Sequence, residues 1–252
     1  MKYIFYACVI LLSWTLQAQK QSMLDKLNDL QLKRLENLRN WTKKDSLNTL
    51  ISKTIASDDA KLFVNTDTTQ YYLVENKLRD AKKGIRLAYA FINNIIINTN
   101  EDIRVFSTDV LDNGSFHEYL NYIQFKTKNQ TWKVINLDKS QQDKSVGFYK
   151  VDKINNYYIL LGYGTYGSGK QHFVIRVFEK KNDDLIENIE AYPNKELFFI
   201  ECNRSQNIDL NFNPDTKELS FKQFKMDDDT GFYTRKFDLK KFKFINGKFT
   251  QE

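Results

Sequence analysis

The feature that most constrains this chain is a long succession of short β-rich segments, which begins near residue 103 and ends near residue 245. Each segment is enriched in β-branched and aromatic residues and is bounded by polar turn residues, a pattern typical of strands. About ten such strands at spacings of roughly 10–15 residues predict an antiparallel meander, folded as a barrel, a sandwich or an irregular propeller-like sheet. The predicted strands cover residues 103–106, 119–125, 132–137, 146–151, 157–161, 173–178, 197–200, 208–212, 219–224, 233–239 and 242–245.

The turns between these segments contain the residues that hairpins need. Asn155-Asn156, Asn246-Gly247 and Asn113-Gly114 are predicted hairpin turns, because Asn and Gly tolerate the positive φ of a tight turn. Asn213-Pro214-Asp215 is a predicted turn because Pro fixes φ and Asn bonds its own backbone. Apolar and polar residues alternate over 208–212, which predicts a strand with one buried face.

Helical patterns come before the strands. Leucines recur between Ser22 and Trp41 at spacings that place them on one face of a helix. Asp45-Ser46 is predicted to cap a second short helix, which ends near Ser57-Asp58. Residues 60–93 are ambiguous between strand and helix. A helical N-terminal segment followed by an antiparallel β-meander predicts the α+β class.

The first residues have the pattern of a secretory signal peptide. Lys2 precedes an apolar run over residues 3–16, and the small residue Ala18 follows, which predicts cleavage after Ala18. A run of this length is short for a bilayer, which needs about 20 residues. We therefore expect an exported protein, periplasmic or secreted, that meets the membrane only through residues 1–18 before cleavage. An uncleaved anchor and a buried segment of a cytosolic fold are the alternatives.

The predicted organisation follows from these patterns. Residues 1–18 form the signal peptide, residues 19–93 a helical or mixed region, and residues 94–252 the antiparallel β region. We expect the last two to form one domain. Cys202 is the only cysteine after cleavage, so no internal disulfide is expected.

The charge distribution argues against a nucleic-acid partner. The chain has 38 Lys and Arg residues against 32 Asp and Glu residues, for a net charge of +6. No block of five or more like charges occurs, so both signs are mixed over the surface. The densest basic stretch, Arg235 to Lys243, alternates with Phe237, Leu239 and Phe242, as expected for a strand.

Gly164 to Gln171, GTYGSGKQ, matches the first seven positions of a phosphate-binding loop. The eighth position is Gln171 rather than the Ser or Thr that holds magnesium. The residues after it are β-branched and aromatic, whereas the motif requires a helix. The segment is therefore predicted to be a hairpin loop that joins strands 157–163 and 171–178, and no nucleotide is expected.

Metal and nucleophile chemistry has little support in the sequence. The chain has only two histidines, His117 and His172, and no zinc-ligand spacing. Cys202 ends a strand-like run, where a small buried residue is the ordinary role, although a pairing with either histidine stays open. Asp227-Asp228-Asp229 and the Asn211–Asp215 segment lack the Gly and Glu of a calcium loop and are predicted polar turns. We expect no catalytic residue, metal or cofactor.

A hydrolase that uses acids brought together by the sheet is the alternative. Such an enzyme needs two carboxylates at a defined separation, which the sequence does not supply. The acids that could serve are Asp102, Asp109, Asp112, Glu118, Glu179 and Glu201.

The glycine-rich hairpin, residues 162–170, is the predicted ligand-binding loop. Tyr163 and Tyr166 alternate with glycines, and Lys170 and His172 follow. Tyrosines on such a loop offer amphipathic rings to a glycan or protein partner. The alternative is that the tyrosines fold back and cover the edge of the sheet.

Residues 98–125 and 156–179 resemble a group of uncharacterised exported β-rich proteins of Bacteroidota-type bacteria. The similar features are a strand like IRVFSTD that leads to a Gly-containing turn, and a later Gly/Tyr hairpin between aliphatic strands. The resemblance implies an envelope or secreted location and a β-rich C-terminal region, and it supplies no functional residue.

Together these patterns favour an exported, non-enzymatic binding or interaction protein of the bacterial envelope. Its expected partner is an unknown glycan, peptide or envelope protein. The alternative function is an exported hydrolase that acts on a glycan or a peptide.

Overall fold

The computed structural model describes residues 29–30, 32–34, 36–37, 40–57, 93–97, 102–109, 118–137, 145–166 and 169–252. The chain divides into two compact units, residues 1–86 and 87–252. Several predictions lie outside the described residues: the signal peptide over 1–18, most of the helix over 22–41, the ambiguous region over 60–92, the Asn113-Gly114 turn, Asp112 and His117.

The first unit contains helix α1, Trp41–Ser57. Its N-cap is Asn40, whose side-chain oxygen accepts a hydrogen bond from the backbone N–H of Lys43 at 3.2 Å. The predicted cap at Asp45-Ser46 is wrong. Ser46 instead lies inside the helix, and its hydroxyl donates to the carbonyl of Thr42 at 3.0 Å. No described helix is long and apolar enough to cross a bilayer.

The described residues of the second unit form three antiparallel sheets, each built from strands that follow one another in the chain. Sheet 1 has the order β1-β2-β3-β4, sheet 2 the order β5-β6-β7-β8 with β9 also on β7, and sheet 3 the order β10-β11-β12-β13. The strands are β1 Asn93–Ile97, β2 Ile103–Asp109, β3 Tyr119–Lys126, β4 Trp132–Asn136, β5 Gly147–Ile154, β6 Tyr157–Tyr166, β7 Lys170–Lys181, β8 Asp184–Glu187, β9 Phe198–Asn203, β10 Asn211–Asn213, β11 Glu218–Met226, β12 Tyr233–Ile245 and β13 Lys248–Gln251. The predicted β-rich, mostly antiparallel character of this region is confirmed.

Sheet 2 is the middle of three stacked layers. Tyr158 and Leu160 of β6 belong to a buried cluster with Ile103 and Phe125 of sheet 1. The alternate residues, Ile159 and Leu161, belong to a second buried cluster, which includes the phenylalanines of sheet 3. Because both faces of β6 are covered, its sequence is continuously apolar rather than alternating.

The core between sheets 2 and 3 is aromatic. Its buried phenylalanines are Phe212, Phe221, Phe242, Phe244 and Phe249. Phe198 of β9 contacts three of them at centroid distances of 4.8–6.1 Å, mostly edge to face. Each fully buried Phe contributes about 1.5–3 kcal/mol relative to an exposed one, so this cluster fixes sheet 3 against sheet 2.

Strand β7 is flanked on one side by two different strands. Its last residues pair with β8, and residues 170–175 pair with β9. The chain leaves β8, passes through two 3-10 turns at Ile189–Ala191 and Pro193–Lys195, and returns to the same edge. Tyr192 holds the segment between β8 and β9 against β7, since its hydroxyl accepts a 2.8 Å hydrogen bond from the backbone N–H of Val177.

Several predicted strand boundaries are wrong for identifiable reasons. The strand predicted over 208–212 shortens to Asn211–Asn213 because Asp209 adopts a positive φ of 51°, which interrupts the extended backbone. Ile208 and Phe212 are still buried, so the alternation predicted burial rather than a strand. The strands predicted over 233–239 and 242–245 are one continuous strand, β12, and the pattern missed β1, β8 and β13.

Candidate functional site

The glycine-rich segment is the turn of the β6–β7 hairpin. Tyr166 pairs with Lys170, and the pairing continues through Gly164 with His172 and Tyr163 with Phe173. The residues after the loop form β7 rather than a helix, so no helix N-terminus is present to bind a phosphate. The prediction of a hairpin in place of a phosphate-binding loop is confirmed, although both strands extend further into the loop than predicted.

The predicted loop residues do not form one surface. Tyr163 is half-buried, its ring lies 5.2 Å from that of Phe173, and its hydroxyl donates to Gln171 Oε1 at 3.3 Å. His172 lies on the opposite face of the sheet, where it is 1% exposed. Its Nε2 is 3.0 Å from the carbonyl oxygen of Ser145. Both side chains thus make contacts within the fold, and the side chain of Tyr166 lies outside the described residues.

Lys170 belongs to a polar cluster that the sequence pattern did not indicate. Its ammonium lies 3.4 Å from Glu201 Oε1, and this oxygen also accepts a 3.0 Å hydrogen bond from the hydroxyl of Tyr233. Burial, followed by the charge of Glu201, raises the pKa of Tyr233, so the phenol stays protonated as a donor. The side chain of Asn203 bonds the backbone of Tyr233 twice, at 2.6 and 3.2 Å. The cluster therefore ties the end of sheet 2 to the start of β12.

Cys202 and His172 are not assembled as a nucleophile and its base. Cys202 pairs with Gln171, whose amide donates to the sulfur at 3.3 Å, on the face opposite to His172. The thiol is completely buried, and burial raises its pKa, which disfavours the reactive thiolate. His117 lies outside the described residues.

Two of the acids considered for hydrolysis make contacts within the fold. The carboxylate of Asp102 accepts hydrogen bonds from Lys153 and, at 2.8 Å, from the hydroxyl of Tyr158. Glu179 lies 3.0 Å from the ammonium of Lys181. The side chains of Asp109 and Asp112 are outside the described residues. Within the described ranges, no three metal-ligating side chains lie together.

The two acidic turns are polar turns, as predicted. Asp227 Oδ1 accepts bonds from the backbone of Asp229 and Thr230 at 3.1 and 3.0 Å, and these bonds lower the pKa of the carboxyl. Asn213 Oδ1 accepts equivalent bonds from Asp215 and Thr216 at 2.9 and 3.2 Å. Both are Asx-type turns, whose side chains satisfy their own backbone.

Two tight turns and one loop meet in a cavity of about 290 Å³, which we call the turn pocket. The β5–β6 turn contributes Asn155 and the β12–β13 turn contributes Asn246 and Gly247. The pocket is lined by Ile154, Asn155, Tyr157, Lys217, Lys243, Phe244, Ile245, Asn246 and Gly247. The sequence predicted both turns but gave no signal that they meet.

A second surface feature lies on the β11–β12 hairpin. Phe237 and Leu239 are 45% and 57% exposed, and Met226 is 53% exposed. Phe224 pairs with Phe237, with ring centroids 5.6 Å apart. We call Phe224, Met226, Phe237 and Leu239 the hairpin strip.

Cations border the hairpin strip. Lys222 pairs with Leu239 and lies over the ring of Phe237 at 5.1 Å. Lys241 follows two residues after Leu239 and therefore lies on the same face. Contiguous exposed apolar surface with a polar rim marks interaction sites, so the hairpin strip is a candidate interaction surface.

Comparisons with known proteins give no assignment for this site. No family model matches the chain, and neither a curated protein nor a solved structure is significantly similar to it.

Proposed function

We propose that this chain is an exported, non-enzymatic binding or interaction protein of the bacterial envelope, with a helical N-terminal segment before the sheets. Its partner is an unknown glycan, peptide or envelope protein. The observation that carries the proposal is the hairpin strip, in which three large apolar side chains are about half exposed on one hairpin. Each Å² of apolar surface that stays in water forgoes about 25 cal/mol of hydrophobic stabilisation. A partner that covers this surface gains that free energy on binding.

The leader supports export but lies outside the described residues. Mass spectrometry of protein from its native host should find a mature chain that begins at Gln19, in the periplasmic or culture fraction. A soluble cytosolic chain that retains Met1 would contradict the proposed location.

The binding role is tested on the hairpin strip itself. The variant Phe237→Ser/Leu239→Ser should lose the envelope component that wild-type protein retains in a pull-down from its native envelope fraction. Ile186→Ser/Ile189→Ser is the matched control, because these side chains are 52% and 58% exposed elsewhere on the surface. Thermal unfolding confirms that each variant is folded. Equal retention by both variants would contradict a binding role for the hairpin strip.

A further inference from the structure

We propose that the turn pocket binds a small acidic sugar, a single pyranose ring that carries a carboxylate. The pocket is separate from the hairpin strip, so this inference neither requires the proposed partner interaction nor fails with it. Its volume of about 290 Å³ is at the lower limit of small-molecule sites, which favours a ligand of one ring.

The walls of the pocket are fixed before any ligand arrives. The ring of Tyr157 packs edge-on against Phe244, with centroids 5.5 Å apart. A Cβ on Gly247 would lie 2.5 Å from the Tyr157 hydroxyl, so the turn approaches the phenol as closely as glycine permits. The amide of Asn188 donates to the carbonyl of Gly247 at 2.9 Å. Such preorganisation removes the ordering cost that weakens binding to loops.

The polar lining suits the hydroxyls of a sugar. Asn155 and Asn246 occupy left-handed positions, with φ of 54° and 51°, at the ends of their hairpins. Neither side-chain amide bonds another described residue, so each offers donors and an acceptor to a ligand. Ile245, which is 52% exposed, offers apolar surface to the C–H face of a ring, and the buried side chains of Ile154 and Phe244 form the floor beneath it.

The charge of the pocket selects an acid. Lys243 is already paired, with its ammonium 3.0 Å from Glu218 Oε1. Lys217 makes no ion pair with any residue that the structure describes, and its carbonyl accepts a 2.8 Å bond from Phe244 N–H, which fixes its backbone. One uncompensated ammonium beside two amides thus favours a carboxylate over a neutral sugar.

The test is a titration of the full chain with D-glucuronate. Binding is monitored through the NMR chemical shifts of the backbone amides of Asn246 and Gly247. We expect saturable shifts with glucuronate and much smaller shifts with D-glucose, which has the hydroxyls without the charge, or with benzoate, which has the charge without the hydroxyls. A uronic-acid trisaccharide that binds more tightly than the monosaccharide would identify a polysaccharide as the source. Absence of shifts at about 10 mM, where even a millimolar site is largely filled, would overturn the proposal, as would equal binding of glucose or benzoate.

Lys217→Gln removes the charge at nearly constant length and should weaken glucuronate binding about fivefold, the effect of losing one exposed ion pair. Asn246→Asp keeps a residue that tolerates the left-handed turn and should weaken binding by adding a negative charge. Lys236→Gln, on β12 and outside the pocket lining, is the matched control and should bind as wild type. A loss that is equal in Lys217→Gln and Lys236→Gln would overturn the role of Lys217.

Discussion

A buried ion pair in the middle sheet gives the most quantitative prediction. Arg176 of β7 makes two hydrogen bonds to the carboxylate of Glu187, at 2.8 and 2.6 Å. The Arg176 side chain is 6% exposed and that of Glu187 is 25% exposed. Removing one partner of such a pair leaves a buried charge without compensation, which typically costs 3–5 kcal/mol.

We expect Glu187→Gln to lower the free energy of unfolding by about 3 kcal/mol. The lower end of the range applies because Gln keeps one acceptor oxygen and because water reaches the partly exposed end of residue 187. For a chain of this size, that loss lowers the melting temperature by about 6–12 °C. Urea unfolding measures the free energy, and a thermal scan measures the midpoint.

Asp184→Asn is the matched control in the same sheet. Its ion pair with Lys133 has a length of 3.0 Å, but the two side chains are 71% and 48% exposed, so we expect a loss below about 1 kcal/mol. Replacing both Arg176 and Glu187 by Met should return the protein to within about 1 kcal/mol of wild type, because no charge is then left unpaired. A Glu187→Gln variant no less stable than Asp184→Asn would refute the reasoning.

Three further predictions concern a glycine, a tyrosine and a thiol. Gly164→Ala should cost about 2 kcal/mol or more, because the added Cβ would lie 2.2 Å from the carbonyl oxygen of Ser145. Gly169 has open space around an added Cβ but a φ of 74°, so Gly169→Ala should cost about 1 kcal/mol. Equal losses of unfolding free energy for the two glycine variants in urea would contradict the steric argument. Burial raises the pKa of Tyr149 from 10.0 to about 12, so the folded chain keeps a proton that the unfolded chain releases above pH 10. The associated stability is complete below pH 10 and is lost as the pH rises toward 12. In urea unfolding, Tyr149→Phe should therefore lose less free energy of unfolding than wild type between pH 10 and pH 12. Equal losses in the two proteins would contradict the raised pKa of Tyr149. Cys202 is 0% exposed and burial raises its pKa, so it should resist alkylation by iodoacetamide in the native protein and react in urea. Peptide mass mapping measures the labelled fraction, and rapid labelling of the native protein would contradict the buried position.

The hairpin turns were predictable because their information is local. Asn246-Gly247 adopts positive φ values of 51° and 81° at the two residues between Ile245 and Lys248, which pair across the turn. Asn155-Asn156 likewise joins β5 to β6 through a two-residue turn. The failure of the phosphate-loop match was predictable for the same reason, since the β-branched and aromatic residues after Gln171 favour a strand over the helix that the motif requires.

The candidate loop shows where local information ends. The sequence places Tyr163 and His172 within ten residues of each other beside glycines, and nothing in it indicates that both side chains point inward from opposite faces. Pairing of Gly164 with His172 decides this arrangement, because one residue of register exchanges the two faces of a strand. Their assignment to ligand binding stays a prediction, whereas the cluster of Lys170, Glu201 and Tyr233 was not foreseen.

The sequence by itself determined the β-rich character of residues 103–245, the sites of the tight turns and the burial of alternate residues, because backbone preference and hydrophobic period act over a few neighbours. Only the tertiary structure decided that sheet 2 lies between two others, that β9 returns to β7, and that Lys217 meets the turns at Asn155 and Asn246. These arrangements join residues that lie more than 20 positions apart in the chain, so they depend on which apolar faces bury each other and not on any local pattern.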